Sequence, residues 1–219
     1  MNAPQLSIDP EELGLDILPA IEKSFGISFD QNDFHKDFTY GELEALLFAK
    51  LPTATAADCT SQQAFYKLRR ALRPLVNEAE IRPATLLTEL MPAKRRIAEA
   101  HLNAELGMEL NLASMPTWAV LSGSLLILVS LAMFFFSGVL ALAGLGLAIV
   151  GLDAARHLEK QFNHQTVREL IEHMSSQHYR QSRRNPDTVN LREIPSRLER
   201  IFIDMAGLKA AELVSDAIL

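Results

Sequence analysis

The feature that most limits the fold of this 219-residue chain is an internal repeat whose parts occur in a rotated order. "FGISFD" (25–30) resembles "LGMELN" (106–111), and "FTYGELEALL" (38–47) resembles "QTVRELIEHM" (165–174). "EIRPATLL" (80–87) resembles the last residues of the chain, "ELVSDAIL" (212–219). Such self-similarity indicates two copies of one supersecondary unit.

Each copy has the pattern of three amphipathic helices, which we call A, B and C. Their apolar residues recur every three or four positions, and Gly26 and Gly107 follow the two B helices at the place where a left-handed residue commonly ends a helix. Thr60 and Gln63 predict a capping box at the start of the first helix A. The order along the chain is B, C, A, B, C, A. The second pair of similar stretches is much farther apart in sequence than the first pair, which indicates an insertion between the second B and the second C.

The two ends of the chain are each an incomplete copy. The first helix B, with Ile17, Ile21 and Phe25, lacks a preceding helix A, and the last helix A, near 198–208, lacks a following helix B. We therefore expect these two helices to pack together, since a short isolated helix with an apolar stripe is unstable in water. A circular permutation within one chain would achieve this, and so would a swap between two chains in a homodimer.

The repeated unit resembles the acyl carrier protein family. The likeness lies in "FYKLRRALRPLVNEAEIRPATLLTELMPAKRRIAEAHLNAELGMELN" followed by "TVRELIEHM", and in "AIEKSFGISFDQNDFHKDFTYGELEALL". It implies an all-α fold with two carrier-like helical units. We predict one unit over 9–52 with 190–219, a second over 60–112 with 157–176, and a linker over 177–189.

Carriers of this family hold phosphopantetheine on a serine within an Asp-Ser-Leu motif at the start of the second helix. The corresponding stretches are "MPAKRR" and "DPEELG", which place Lys94 and roughly Glu11 at the attachment point. Neither stretch contains a serine, and a phosphodiester to the group needs a hydroxyl. We therefore expect no cofactor.

The inserted segment is a run from position 110 to position 152 without a charged residue or histidine. Its composition predicts a transmembrane hairpin over 116–155, with spans at 118–136 and 139–155. Basic residues on both flanks predict that both termini are cytoplasmic and that the chain is a multi-pass protein of a bacterial cytoplasmic membrane. A single cysteine, Cys59, excludes an internal disulfide and suits a reducing compartment.

Two sets of residues are candidates for contacts at this hairpin. Lys94, Arg95 and Arg96 lie before it and would contact anionic lipid head groups, as would Arg180, Arg183 and Arg184 in the linker; a solvated face is the alternative. Small residues at i, i+4 and i+7 form a face for helix packing inside the membrane, either within the hairpin or with another chain: Gly144, Ala148 and Gly151.

Several function classes find no support in the sequence. His173 and His178 are five positions apart, so they do not share a helix face as metal ligands would, and we predict neither a metal site nor catalytic residues. The net charge of −6 argues against a nucleic-acid partner. We predict a non-enzymatic membrane-anchored adaptor that presents carrier-like units to a cytoplasmic protein, with acyl-chain or lipid-synthesis enzymes as the partners that the resemblance implies. The alternative is a structural subunit of an integral membrane assembly.

Overall fold

The computed structural model describes residues 4–76, 81–91, 95–114, 117–133, 144–146, 149–151, 161–162 and 164–219. The fold is all-helical, as predicted, apart from a pair of very short antiparallel strands in which Ala113 of β1 (Ala113–Ser114) lies opposite Phe162 of β2 (Gln161–Phe162). The helices are α1 (Pro10–Glu12), α2 (Leu18–Phe25), α3 (Tyr40–Lys50), α4 (Thr60–Leu72), α5 (Leu87–Leu90), α6 (Arg95–Leu106), α7 (Thr117–Met133), α8 (Val167–Gln177), α9 (Tyr179–Ser182) and α10 (Ile194–Ala206).

The first helical segment runs from residue 10 to residue 25 and contains a π-helical turn at Leu13–Ile17 between α1 and α2. Its start is capped by Asp9, whose Oδ1 accepts a hydrogen bond from the Glu11 N–H at 2.8 Å. It ends at Gly26, which has a φ of 68°, and α6 ends in the same way at Gly107 with a φ of 66°. The predicted glycine ends of the two B helices are therefore confirmed.

The buried apolar residues form two clusters. The terminal core combines the N-terminal helices with α9 and α10, and the central core combines α4, α5, α6 and α8. Fully buried members of the terminal core include Ile17, Ile21, Leu43, Leu198, Ile201 and Phe202; those of the central core include Leu68, Leu72, Leu87, Leu102, Leu170 and Met174. The expected contact between the two ends of the chain is thus present, within a single chain. The exact boundaries of the two predicted units stay a prediction.

The start of helix C is held by the segment after helix A through the same backbone hydrogen bonds in both copies. In the central copy these are Leu87 N to Gln165 O at 2.9 Å, Val167 N to Thr85 O at 3.0 Å and Arg168 N to Pro83 O at 2.8 Å. In the terminal copy they are Leu219 N to Phe38 O at 2.9 Å, Tyr40 N to Ala217 O at 2.9 Å and Gly41 N to Ser215 O at 2.9 Å. Every partner takes the place of its counterpart in the sequence repeat, in which 38–47 aligns with 165–174 and 80–87 aligns with 212–219. The last residues of the chain thus do in one copy what 83–87 do in the other.

The two connections from helix C to helix A also pair with each other. Ala56 N donates to Val189 O at 2.9 Å, and Val189 N donates to Ala54 O at 3.0 Å. Beside this pair the fully buried Arg183 donates from Nη1 to Thr60 Oγ1 at 2.7 Å. Residues that are far apart in sequence are therefore joined where the two copies meet.

The predicted capping box at Thr60 is wrong. Cys59 is the N-cap residue of α4 and its side chain makes no capping bond, while the Thr60 hydroxyl accepts from Arg183. The Thr60 N–H is satisfied by the carboxylate of Glu193 at 3.2 Å, across the junction between the copies. A tertiary contact has replaced the local cap.

The predicted transmembrane hairpin over 116–155 is also wrong. Within the described part of the chain, no helix is long and apolar enough to cross a membrane. The described span of α7, the longest apolar helix there, has 17 residues, which is about 26 Å at about 1.5 Å per residue, against a hydrocarbon core of about 30 Å. The predicted membrane location and its topology are contradicted by the same finding. Positions 116, 134–143, 147–148 and 152–155 of the predicted hairpin lie outside the described residues.

Candidate functional site: an arginine groove on α4

One face of α4 is strongly basic. The core side of this helix buries Ala64, Leu68, Ala71 and Leu72, whereas Tyr66, Arg69, Arg70 and Arg73 follow one another at helical spacing on another side. Tyr66 is 53% exposed, Arg70 and Arg73 are exposed, and Arg69 is half-buried. No acidic residue occurs between 59 and 76. The helix therefore presents an aromatic ring and several guanidinium groups without a carboxylate of its own.

A fifth side chain, that of Arg184, reaches this face from a distant part of the chain. The Lys67 ammonium donates to the carbonyl oxygens of Gln181 at 2.6 Å and of Arg183 at 2.7 Å, and so holds the end of α9 and the residue after it against α4. The Arg184 N–H then donates to Gln63 Oε1 at 2.6 Å. These three bonds fix the backbone of Arg184 beside the helix, although it lies far beyond α4 in sequence.

Together these residues enclose a groove of about 450 Å³, which we call the arginine groove; it is lined by Tyr66, Arg69, Arg70, Arg73 and Arg184. A smaller hollow of about 230 Å³ continues from it toward Gln63 and Lys67. Burial, and to a lesser extent the nearby Arg70, lower the pKa of Lys67 below its usual value.

The four arginine side chains of the groove have no ion-pair partner among the residues that the structure describes. The guanidinium group presents several donors in a planar fork that fits carboxylates, and it also packs on aromatic rings. A groove of this composition has the chemistry to bind an acidic segment that also offers an apolar side chain to Tyr66.

A second cleft, of about 390 Å³, lies between α8 and α10 and includes His164 and His173 in its lining. The ring centroids of these two histidines are 4.6 Å apart, and those of His173 and His178 are 6.2 Å apart. Burial, together with the neighbouring His164 and His178, lowers the pKa of His173 to about 4. Burial also lowers the pKa values of His164 and His178. Neutral imidazoles therefore pack against one another at the junction of the two copies.

No group of three or more metal-ligating side chains among the described residues could hold a metal ion. His173 and His178 do approach each other, which their separation by five positions did not suggest, because α8 ends at Gln177 and the chain turns before α9.

The site residues predicted from the sequence are only partly placed by the structure. Lys94 and Ala148 lie outside the described residues, and Arg95 and Arg96 begin α6. Gly144 lies against Ser130 of α7, so closely that an added Cβ would collide with the Ser130 hydroxyl, whereas an added Cβ at Gly151 would meet no described atom within 4 Å. The described residues therefore show close helix approach at one of the three small residues.

The arginine groove was missed at the level of sequence. Arg69 and Arg70 lie in a helix that the sequence defines by its apolar face, Arg73 directly follows this helix, and Arg184 belongs to the predicted linker. The absence of acidic residues along α4 was the available signal.

Comparison of this chain with protein-family models, with curated proteins and with solved structures gives no match.

Proposed function

We propose that this chain is a non-enzymatic helical adaptor that binds an acidic segment of a protein partner in the arginine groove. The observation that carries the proposal is the convergence of four arginines without described carboxylate partners on one exposed tyrosine. Tyrosine and arginine are among the residue types that are enriched at the positions that dominate the binding energy of protein interfaces.

The expected affinity is modest and sensitive to salt. An exposed ion pair typically contributes about 0.2–1 kcal/mol, so four such pairs would supply on the order of 1–4 kcal/mol. Micromolar binding needs about 8 kcal/mol, and the remainder has to come from apolar contact with Tyr66 and from the surrounding surface. Charge complementarity would mainly set the association rate and the choice of partner.

The resemblance to acyl carrier proteins supports an adaptor more than a carrier. The better match to the Asp-Ser-Leu motif is Asp16-Ile17-Leu18, and not the stretch around Glu11, so that Ile17 takes the place of the serine. Ile17 is fully buried in the terminal core. When "FGISFD" is aligned with "LGMELN", the counterpart of Ile17 is Ala98, which is 6% exposed in the central core. Both positions are apolar and buried, and neither provides a hydroxyl for a prosthetic group.

The proposal is tested with a fluorescent helical peptide that carries glutamates on one face and leucine between them. Fluorescence anisotropy should show binding that weakens as salt is added. The double variant Arg69→Glu/Arg70→Glu should weaken binding at least about tenfold, since two favourable pairs become repulsive.

The matched control is Arg192→Glu, which makes the same kind of charge reversal at an exposed arginine outside the groove. It should leave the affinity within a factor of about two, because distant exposed charges are screened. Equal losses in both variants, or preferential binding of a duplex DNA of matched charge, would overturn the proposal.

A further inference from the structure

The N-terminal helix carries a surface that complements the arginine groove. Around the π-helical turn Leu13–Ile17, Glu11 and Asp16 are exposed and Glu12 is half-buried. Between them Leu15 is 73% exposed, the highest exposure given for any large apolar side chain in the described part of the chain. We call Glu11, Glu12, Leu15 and Asp16 the acidic turn.

The carboxylates of the acidic turn are as free as the arginines of the groove. None of the three has an ion-pair partner among the described residues, and the nearby Lys23 pairs with Glu109 instead, at 3.2 Å. Within one chain no described hydrogen bond or ion pair joins the acidic turn to α4. In the described part of the chain, the positive and the negative surface are therefore both left without a partner.

The two surfaces also agree in composition and size. Each places one exposed apolar side chain, Leu15 or Tyr66, among charges of one sign. The acidic turn extends over residues 11–16 and the helical part of the groove over 66–73, which correspond to about 8 Å and about 10 Å at about 1.5 Å per residue. An exposed leucine beside carboxylates is the chemistry that the groove is suited to bind.

We infer that the acidic turn of one molecule docks in the arginine groove of a second copy of this chain. This inference rests on the proposed function, because it names the occupant of the same groove. The contact joins different surfaces of the two molecules, so it is heterologous: a joined pair keeps one free groove and one free acidic turn, and assembly continues until a ring closes or a filament forms.

The test is a charge exchange between two variants of the full chain, followed by sedimentation velocity at low and at high ionic strength. Wild-type protein should associate with rising concentration and should dissociate in high salt. Arg69→Glu/Arg70→Glu cancels the positive charge of the groove, and Glu11→Arg/Asp16→Arg reverses the charge of the acidic turn, so each variant alone should associate at least about tenfold more weakly. In a mixture, the unchanged acidic turn of the first variant meets the unchanged groove of the second, and the two should associate again.

Three results would overturn the inference: a wild-type chain that remains monomeric, association of either variant as strong as that of wild type, or a mixture that fails to associate. Association through the exposed apolar face of α7 would give the second of these results, because it would be insensitive to both charge reversals. Circular dichroism of each variant should match that of wild type; if one variant is unfolded, the single changes Arg70→Glu and Asp16→Arg give the same test with smaller effects.

The peptide experiment separates this inference from the proposed function. Groove-dependent binding of the acidic peptide by a chain that stays monomeric would overturn self-association and leave the adaptor proposal standing. Failure of both the peptide and the mixture would overturn both.

Discussion

The terminal and central copies share a backbone arrangement but differ in what their A helices do. Leu68 in α4 and Ile201 in α10 occupy equivalent positions in the two copies, and both are fully buried. At the next position Arg69 lines the groove, whereas Phe202 is fully buried with its ring centroid 5.4 Å from that of Tyr40. In the terminal copy this side of helix A belongs to the apolar core, and in the central copy it carries a charged side chain.

The B helices of the two copies differ in the sign of their charge, and here the terminal copy is the acidic one. The first carries the acidic turn, whereas the corresponding stretch before and at the start of α6 contains Lys94, Arg95 and Arg96. The hydrogen bonds that hold helix C are nevertheless the same in the two copies. Backbone pairing and apolar spacing are therefore preserved between the copies, while the sign of the charged residues in this stretch of the sequence is not.

The largest difference between the two copies is expected when residues 195–219 are removed from the chain. Leu198, Ile201 and Phe202 would be lost from the terminal core, and burying each such side chain is worth about 1.5–3 kcal/mol, so the loss is on the order of the whole stability of a small domain. Hydrogen exchange should show residues 10–50 unprotected. Protection should remain in α4 and α8, whose core does not include the deleted residues. A protected N-terminal segment in the truncated chain would show that the terminal core does not depend on both chain ends.

A matched pair of cavity variants sharpens the same comparison. Leu68→Ala and Ile201→Ala each empty the equivalent position of one core, and each should lower the free energy of unfolding by about 2–5 kcal/mol. Hydrogen exchange should increase mainly in the central core for Leu68→Ala and mainly in the terminal core for Ile201→Ala. If each variant instead increases hydrogen exchange equally in both cores, the two copies unfold as one unit.

The copies should also differ in their response to acid, because His173 occupies the position that Leu46 has in the terminal copy when 38–47 is aligned with 165–174. The pKa of His173 is about 4 in the folded chain, against an ordinary value of 6.5. Between these pH values the unfolded state binds more protons than the folded state. The stabilisation that comes from keeping His173 neutral is therefore fully present above pH 6.5 and is lost as the pH falls toward 4. The loss is at most about 3 kcal/mol.

His173→Leu gives the central copy the residue of the terminal copy and should remove most of this dependence. Urea unfolding at several pH values measures it. An unchanged pH profile in His173→Leu would assign the acid response to other groups, of which His164 and His178 are the nearest.

The features that the sequence predicted correctly are those that depend on the spacing of residues along the chain. The helices, the left-handed ends at Gly26 and Gly107 and the contact between the chain ends follow from apolar periodicity and from a repeat whose parts are out of order. The apolar run was misinterpreted, because an apolar composition alone does not show that a helix crosses a membrane, and no described helix is long and apolar enough to do so. The groove depends on Arg184, which is brought to α4 by bonds from Lys67 and Gln63 that no local pattern records.

The same limit applies to the helix caps, where the smallest of these effects is expected. Thr39 and Thr166 are equivalent N-caps in the two copies, and each accepts a bond at 3.3 Å from the N–H three positions on, at Glu42 or Glu169. Thr39→Ala and Thr166→Ala should each cost about 1 kcal/mol of stability, the usual value of such a cap. If the two copies share their local rules, thermal unfolding should give closely similar losses for both variants. A loss at only one of them would show that tertiary contacts have taken over the cap in the other copy, as the contact from Glu193 has done at the start of α4.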